Sequence, residues 1–447
     1  MHHRGVGAVH MKGTTLQHRI RSALPLLAVL GVTVALSGCS SEPAESGDGV
    51  TLTVWYNTQG SDALMNVYSA YEQASGNKVE LVPISSDGYA DAVLAKWATG
   101  DRPDILEFAP TSSYISMLNP GQNLLDLSDE EFVDASGELY DGSGRGTDGK
   151  VYAAITSFPE VWGVYYNKDV LAANGLEPAT TVDAIREQCA TLSAAGVTTL
   201  AEAGGSGWPT ASLPLLYGTS SADESWTADV VAREVTVADE DSPLLAGFEV
   251  YAQLLADGCM SSDISTATFE DSVADVLAGE AAYQLIHSNI APVYVDAANG
   301  DAELVDETIG FTTVGASTKA AFIQPGIPGS YLLPRTGDDA RQAAAREFVR
   351  FATGEHYPTF IEESGTFPVI VGTPDPESAT GLMIDIKNSY DEGPLRALMQ
   401  TDLPGAMNGI VVQMSELIAG QATPQQVADQ LQTELETAAT AQGLDGW

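Results

Sequence analysis

Three runs of small polar side chains follow apolar, β-rich segments, and they are where this sequence could do chemistry. Asn57, Thr58 and Gln59 follow Val50–Tyr56; Ser85, Ser86 and Asp87 follow Lys78–Ile84; Glu107 to Ser112, Thr111 among them, close the segment that begins at Ile105. Side chains of this kind match a hydroxylated small molecule, whose every hydroxyl both donates and accepts. In α/β folds, ligand groups gather at the loops leaving the carboxyl ends of strands. The same residues could instead cap the helices that follow them. Trp208 stands in Gly204-Gly205-Ser206-Gly207-Trp208-Pro209, where a large ring among glycines is placed for contact.

The motifs supply no reaction, and we expect a binding protein rather than an enzyme. Beyond residue 39 the only histidines are His287 and His356, and there is no H-E-x-x-H, G-x-S-x-G or P-loop. A glycosidase needs two carboxylates at a defined separation. With 61 Asp and Glu such a pair could arise, so a secreted enzyme acting on carbohydrate stays as an alternative. Asp141 to Asp148 faintly suggests a calcium loop, but Arg145 stands where a ligand is wanted and no Glu completes the pattern. It reads as an exposed Gly-rich turn. Neither a metal nor a cofactor is expected.

The amino end reads as targeting information. Arg4, Lys12, Arg19 and Arg21 precede an apolar run, Ala23–Leu36, too short for a membrane span and suited to a signal-peptide core. Leu36-Ser37-Gly38-Cys39 resembles a bacterial lipobox, so residues 1–38 are expected to be a leader, Cys39 to carry lipid and 39–49 to be a polar tether. The body is then extracytoplasmic, held to the cell membrane by that lipid alone. Removing the leader leaves 15 Lys and Arg against 61 Asp and Glu, a formal charge of −46. That sign excludes a nucleic-acid partner, which needs cations opposite phosphate. With Cys39 modified, Cys189 and Cys259 are either a disulfide or two separate buried thiols; spacing alone does not decide.

The elements that must position these residues alternate. Strand-like Val50–Tyr56, Lys78–Ile84 and Ile105–Phe108 are separated by helical patterns at 61–73 and 89–99, which implies a parallel α/β sheet. Helices are also expected at 182–195, 244–257, 269–278, 338–353, 392–400, 406–419 and 424–440, and strands at 281–286, 309–314 and 330–333. Asp104, Asn167 and Asp169 sit at turns and helix starts and read as structural.

Several segments, in order, resemble extracellular solute-binding protein family 1, the group of sugar receptors of ABC importers. They are Leu52-Thr53-Val54-Trp55, Ala95 to Ile105 with its Gly100 and Pro103-Asp104, Leu124-Leu125-Asp126-Leu127, Asp148-Gly149-Lys150-Val151-Tyr152 with Val164 to Asp169, Glu280-Ala281-Ala282, and the ending Leu417 to Val427. The resemblance implies an α/β, two-lobed periplasmic-binding-protein-like fold of type II, with an interlobe cleft and hinge crossovers. It implies lobe 1 at 50–155 with 310–355 returning to it, and lobe 2 at 156–309 with 356–447 packing mainly on it. The expected partners are a small solute, most simply a mono- or oligosaccharide, and the permease and ATPase subunits of an importer; the chain itself is expected to be a monomer. A polyamine or metal chelate is the alternative solute. By the same resemblance Glu160, Trp162, Gly329, Ser330 and Phe367 join the candidate ligand contacts. Many relatives carry an aromatic after the Glu-Ala-Ala strand. Here His287-Ser288-Asn289 stands instead, and Asn289 becomes a hydroxyl-binding candidate.

Overall fold

Alternating burial builds the first sheet. A computed structural model describes residues 49–447 other than 87, 393, 394, 408, 443 and 445, so the leader, Cys39 and most of the tether lie outside the described residues. Strand β1 (Thr51–Asn57) buries Leu52, Val54 and Trp55. Helix Asp62–Ser75 follows, capped by the Ser61 hydroxyl on the Leu64 N–H and ended by Gly76 at φ 76°. β2 (Lys78–Ile84) then pairs parallel with β1, and β3 (Ile105–Glu107) pairs parallel on its other side. Two further strands, β4 (Ala153–Ile155) and β10 (Ser330–Leu332), complete the order β2-β1-β3-β10-β4, with β10 antiparallel to both neighbours. Asp104 locks the β3 entrance: it accepts the Thr53 N–H at 2.7 Å and pairs with Arg341.

The second sheet is centred on β5 (Glu160–Asn167). It runs β11-β9-β5-β7-β6, with β6 at Thr198–Leu200, β7 at Ala281–His287, β9 at Ala321–Gln324 and β11 at Leu395–Ala397, and β8 (Ile309–Thr312) also pairs with β5. Asn167 ends β5 and caps the next helix, accepting the Val170 N–H at 2.9 Å. Helices Val182–Ala194, Pro243–Ala256 and Pro424–Gln442 belong to this half, and the buried side chains of all three share one core with β7. Cys189 and Cys259 are joined, their Cα atoms 5.5 Å apart. No described helix is long and apolar enough to cross a membrane.

Two expectations from sequence change here. Residues 310–324, read as returning to the first lobe, run in the second sheet as β8 and β9; the return begins at β10, and helix Tyr357–Ser364 then packs on helix Asp62–Ser75 of the first lobe. Residues 392–400, read as a helix, instead contribute β11, paired parallel with β9 from Leu395↔Ala321 to Ala397↔Ile323. The exposed edge of β9 supplies backbone partners that outweigh a weak local helix preference.

The chain passes between the sheets at 156–159 and 325–329, and these crossings are tied together. The Thr156 N–H and hydroxyl both donate to the Gly329 carbonyl at 2.9 Å. The Tyr357 hydroxyl donates to the Thr156 carbonyl at 3.0 Å and accepts the Val369 N–H at 2.9 Å, adding a third strand of chain to the knot. Gly329 has φ 81°, and a Cβ there would lie 2.2 Å from Ser157 Oγ. Gly149, at φ 77°, faces open space. Gly329→Ala should therefore cost about 2–3 kcal/mol, left-handed strain plus overlap, against about 1 kcal/mol for Gly149→Ala. Urea melts of the two variants compare them directly; equal losses would refute a tight crossing.

Candidate functional site

Between the two sheets lies a cavity of about 820 Å³. Its first wall grows from the ends of β1 and β3. Asn57 is buried at the tip of β1, where its Oδ1 accepts the Gln59 N–H at 2.8 Å. Thr111 caps the short helix Ser112–Met117 through its hydroxyl, and Tyr114 on that helix packs edge-on against Phe108. Asn57, Gln59, Thr111 and Tyr114 all line the cavity.

The second wall grows from β5 and β9. Glu160 opens β5 opposite Gln324, the last residue of β9. Asn289 Nδ2 donates to Glu160 Oε1 at 3.0 Å, and Gln400 Nε2 donates to Gln324 Oε1 at 3.0 Å. The wall thus presents one carboxylate braced by the Asn289 amide, a Gln324–Gln400 amide pair beside it, and Pro325, Ile327 and Pro328 as an apolar edge. Burial pushes the Glu160 carboxyl up to about 7, against the opposing hydrogen bond from Asn289. Such a set can grip neutral hydroxyls, because amides and a carboxylate donate and accept in one patch.

Of the candidates named from sequence, Asn57, Gln59, Thr111, Glu160 and Asn289 meet at this cavity. Others do not line it. Glu107 lies inside the first lobe, 2% exposed, accepting the Asn57 N–H at 3.0 Å and the Tyr68 hydroxyl at 2.8 Å. Burial lifts its carboxyl to about 7. Its strand is covered on both faces, so no side chain of β3 reaches the cleft. Ser330 is buried and its hydroxyl donates to the Gly326 carbonyl at 2.7 Å, while Gly329 serves the crossing. Phe367 is buried against Phe158, ring centres 5.7 Å apart, in the same knot. Ser86 donates its N–H to Thr58 Oγ1 at 3.3 Å, beside the cavity, and Asp87 lies outside the described residues.

The aromatic candidates form a separate cluster. Trp162 on β5 packs against His287, the end of β7, at 5.3 Å, and Trp208 covers His287 at 5.7 Å and Phe269 at 5.2 Å. Trp208 is 40% exposed, as a ring on a glycine loop suggested. Trp162 is core, and its Nε1–H has no partner among the described residues, nor has His287 Nδ1. Burial holds His287 down to about 4, so its ring is neutral at ordinary pH. Two residues along the chain, Asn289 stands in the cleft wall.

Sequence reading missed Tyr114, Gln324, Gln400 and Thr401, all of which line the cavity. Gln324 carried a signal, being a polar end to an apolar strand. Gln400 and Thr401 carried none, since their segment read as the end of a helix. The 141–148 turn is closed by its own side chains: Arg145 donates to the carbonyls of Tyr140 and Gly149, and Asp148 accepts from the Tyr152 hydroxyl at 2.7 Å. Among the described residues no group of three His, Cys, Asp or Glu could hold a metal ion.

A chitin oligosaccharide binding protein of known structure superposes with a TM-score of 0.68 over 88% of this chain and 100% of that one, at 20% identity. A solute-binding protein, RafE, in complex with raffinose superposes with a TM-score of 0.66 over 87% of this chain and 99% of that one, at 15% identity. At these identities the likeness concerns the fold: two lobes about a cleft. An ABC transporter periplasmic-binding protein of Escherichia coli (strain K12), YcjN, is 26% identical over 165 residues, which make up 35% of this chain and 38% of that protein. The profile described as bacterial extracellular solute-binding protein matches residues 56–357, from the end of β1 to the third segment of the crossing knot. With that match over more than half its length, and a cleft of this shape and chemistry, the chain belongs to the bacterial extracellular solute-binding protein family.

Proposed function

We propose that this chain captures a sugar outside the cell membrane and delivers it unaltered to an ABC importer, remaining attached to the membrane through lipid on Cys39. The observation that carries the reading is the wall made by Glu160, Asn289, Gln324 and Gln400 facing Asn57 and Thr111 across the cavity. Neutral amides and hydroxyls with one carboxylate suit a polyhydroxylated solute better than an ion. Two proteins of the same fold point the same way, since one is named for chitin oligosaccharide and the other holds raffinose. Trp208, exposed beside the end of β7, would offer a flat face to the C–H side of a sugar ring.

Capture follows from having half the contacts on each sheet. A solute held by both walls favours the closed arrangement by its differential affinity, and the crossings at 156–159 and 325–329 absorb the motion. The permease then senses closure. No bond of the solute is made or broken.

A thermal-shift screen of sugars, polyamines and metal chelates tests the reading. A sugar present at about 100 times its Kd should add about 2.7 kcal/mol of stability. Glu160→Ala should weaken that sugar about 10–100-fold in calorimetric titration, the worth of hydrogen bonds to a charged group. Stabilisation by charged, non-carbohydrate solutes alone would overturn the sugar assignment.

A further inference from the structure

Glu107 does not line the cavity, yet its hydrogen bonds run to two places that capture needs. It ends β3, and its two carboxylate oxygens accept from different elements: Oε2 takes the Asn57 N–H at 3.0 Å, and Oε1 takes the Tyr68 hydroxyl at 2.8 Å. A weaker hydrogen bond comes from the Gly329 backbone. Asn57 is the cleft end of β1, and its Oδ1 in turn holds the Gln59 N–H, so two residues of the cavity wall depend on this carboxylate. Gly329 is the node of the crossing, its carbonyl accepting both the N–H and the hydroxyl of Thr156. The strands fix the spacing: Glu107 stands opposite Tyr331, and the Phe108 N–H donates to the Ser330 carbonyl at 3.2 Å.

A carboxylate is a costly choice for this place. No described Lys, Arg or His pairs with it, so its charge is held by hydrogen bonds alone. The ionisable groups that face it are three phenols: Tyr68 from helix Asp62–Ser75, Tyr331 from β10, and Tyr89 from helix Tyr89–Ala98, whose hydroxyl donates to the Glu107 carbonyl at 2.6 Å. Burial, and then the nearby carboxylate, hold all three above their ordinary values, so they keep their protons where Glu107 changes charge. A neutral amide would serve for a passive clamp. The carboxylate adds a grip that depends on its charge, because bonds to an ionised acceptor are about twice as strong as neutral ones. When Glu107 takes up a proton, Oε1 can carry it, since the Tyr68 hydroxyl can turn and accept. The N–H groups of Asn57 and Gly329 cannot turn, and their bonds weaken together.

We infer that Glu107 is a positioning residue for capture: its ionised carboxylate ties the Asn57 end of the cleft wall to the Gly329 crossing, so that wall and hinge shift as one unit. A solute drawing on Asn57 and Gln59 then acts on the crossing through a side chain it never touches. The coupling is a property of the free protein and does not depend on the solute being a sugar.

Amide NMR of the free protein from about pH 5.5 to about 8.5 tests it. The amides of Asn57 and Gln59 in the wall, and of Thr156 and Gly329 at the crossing, should shift along one curve with a common midpoint. Tyr68→Phe removes a hydrogen bond that favours the charge, and should raise that midpoint by about one pH unit at all four positions. Glu107→Gln should flatten all four curves. The titrations are repeated in a Glu160→Gln background, because the cleft carboxylate changes charge over the same range. Thr156→Val, a change at the crossing, should displace the Asn57 and Gln59 amides in wild type, and less than half as far in Glu107→Gln. Melting temperatures report that the variants are folded. Separate midpoints for wall and crossing, a midpoint that Tyr68→Phe leaves in place, a curve that survives Glu107→Gln, or equal displacement by Thr156→Val in both backgrounds would overturn the coupling and leave solute capture standing.

Discussion

Cys189→Ser is expected to destabilise the oxidised protein by about 4 kcal/mol. The bond closes a loop whose ends are 70 residues apart, and loop-closure entropy for that length gives a figure of this order. The loop spans β6, helix Pro243–Ala256 and much of the second-lobe core, all of which the unfolded chain would otherwise let wander. Cys259 also holds the sheet directly, its carbonyl accepting the Leu200 N–H at 3.0 Å. Urea unfolding of wild type, of Cys189→Ser and of wild type under reductant measures it. Reduced wild type should match the variant. A loss below about 1 kcal/mol in both would mean that the second lobe is already ordered without the bond. Neither cysteine lines the cleft, so affinity for a bound sugar should change far less than stability.

Between about pH 6.5 and about 8.5 the protein should lose about 2–3 kcal/mol of stability, from Glu107 and Glu202 alone. Burial raises Glu107 to about 7 and Glu202, whose Oε2 accepts the Tyr251 hydroxyl at 2.9 Å, to about 8. Both folded values lie above the unfolded one. The folded chain therefore holds the extra protons, the stabilisation is complete below the unfolded pKa, and it is lost as pH rises through the folded values. His287, held down to about 4, works the other way, but mainly below its ordinary value near 6.5. At pH 6.5 its unfolded form is half protonated, which offsets the loss by about 0.4 kcal/mol at the acid edge of the window; above about pH 7.5 it is neutral in both states. Glu202→Gln keeps an acceptor for Tyr251 and should flatten most of the slope. Stability that is constant or rises over this range in urea melts would show that these carboxylates reach solvent or water in the folded state.

Local pattern determined a good deal of this molecule. The apolar strands and their intervening capped helices are legible because burial period, Ser and Thr caps and terminating glycines are properties of a few consecutive residues. For the same reason Asn57, Gln59 and Thr111 could be named as candidate contacts, since each follows a strand, whereas Glu160 came only from the family resemblance. Ordered motifs such as Val164 to Asp169 carried the family.

What only the tertiary structure decided is which way a side chain faces when both faces of its strand are covered. Glu107 and Ser330 have the composition of ligand contacts, yet β3 and β10 are enclosed and both residues satisfy their own lobe. Phe367 and Gly329 were assigned to the cleft, but they serve the knot of crossings, because three distant segments converge there. Gln324 and Gln400 meet across 76 positions of sequence, and residues of the 141–147 turn and of helix Trp226–Val231 line one cavity together. Such encounters depend on how two sheets are arranged in space, which is a sum over long-range contacts and has no period along the chain.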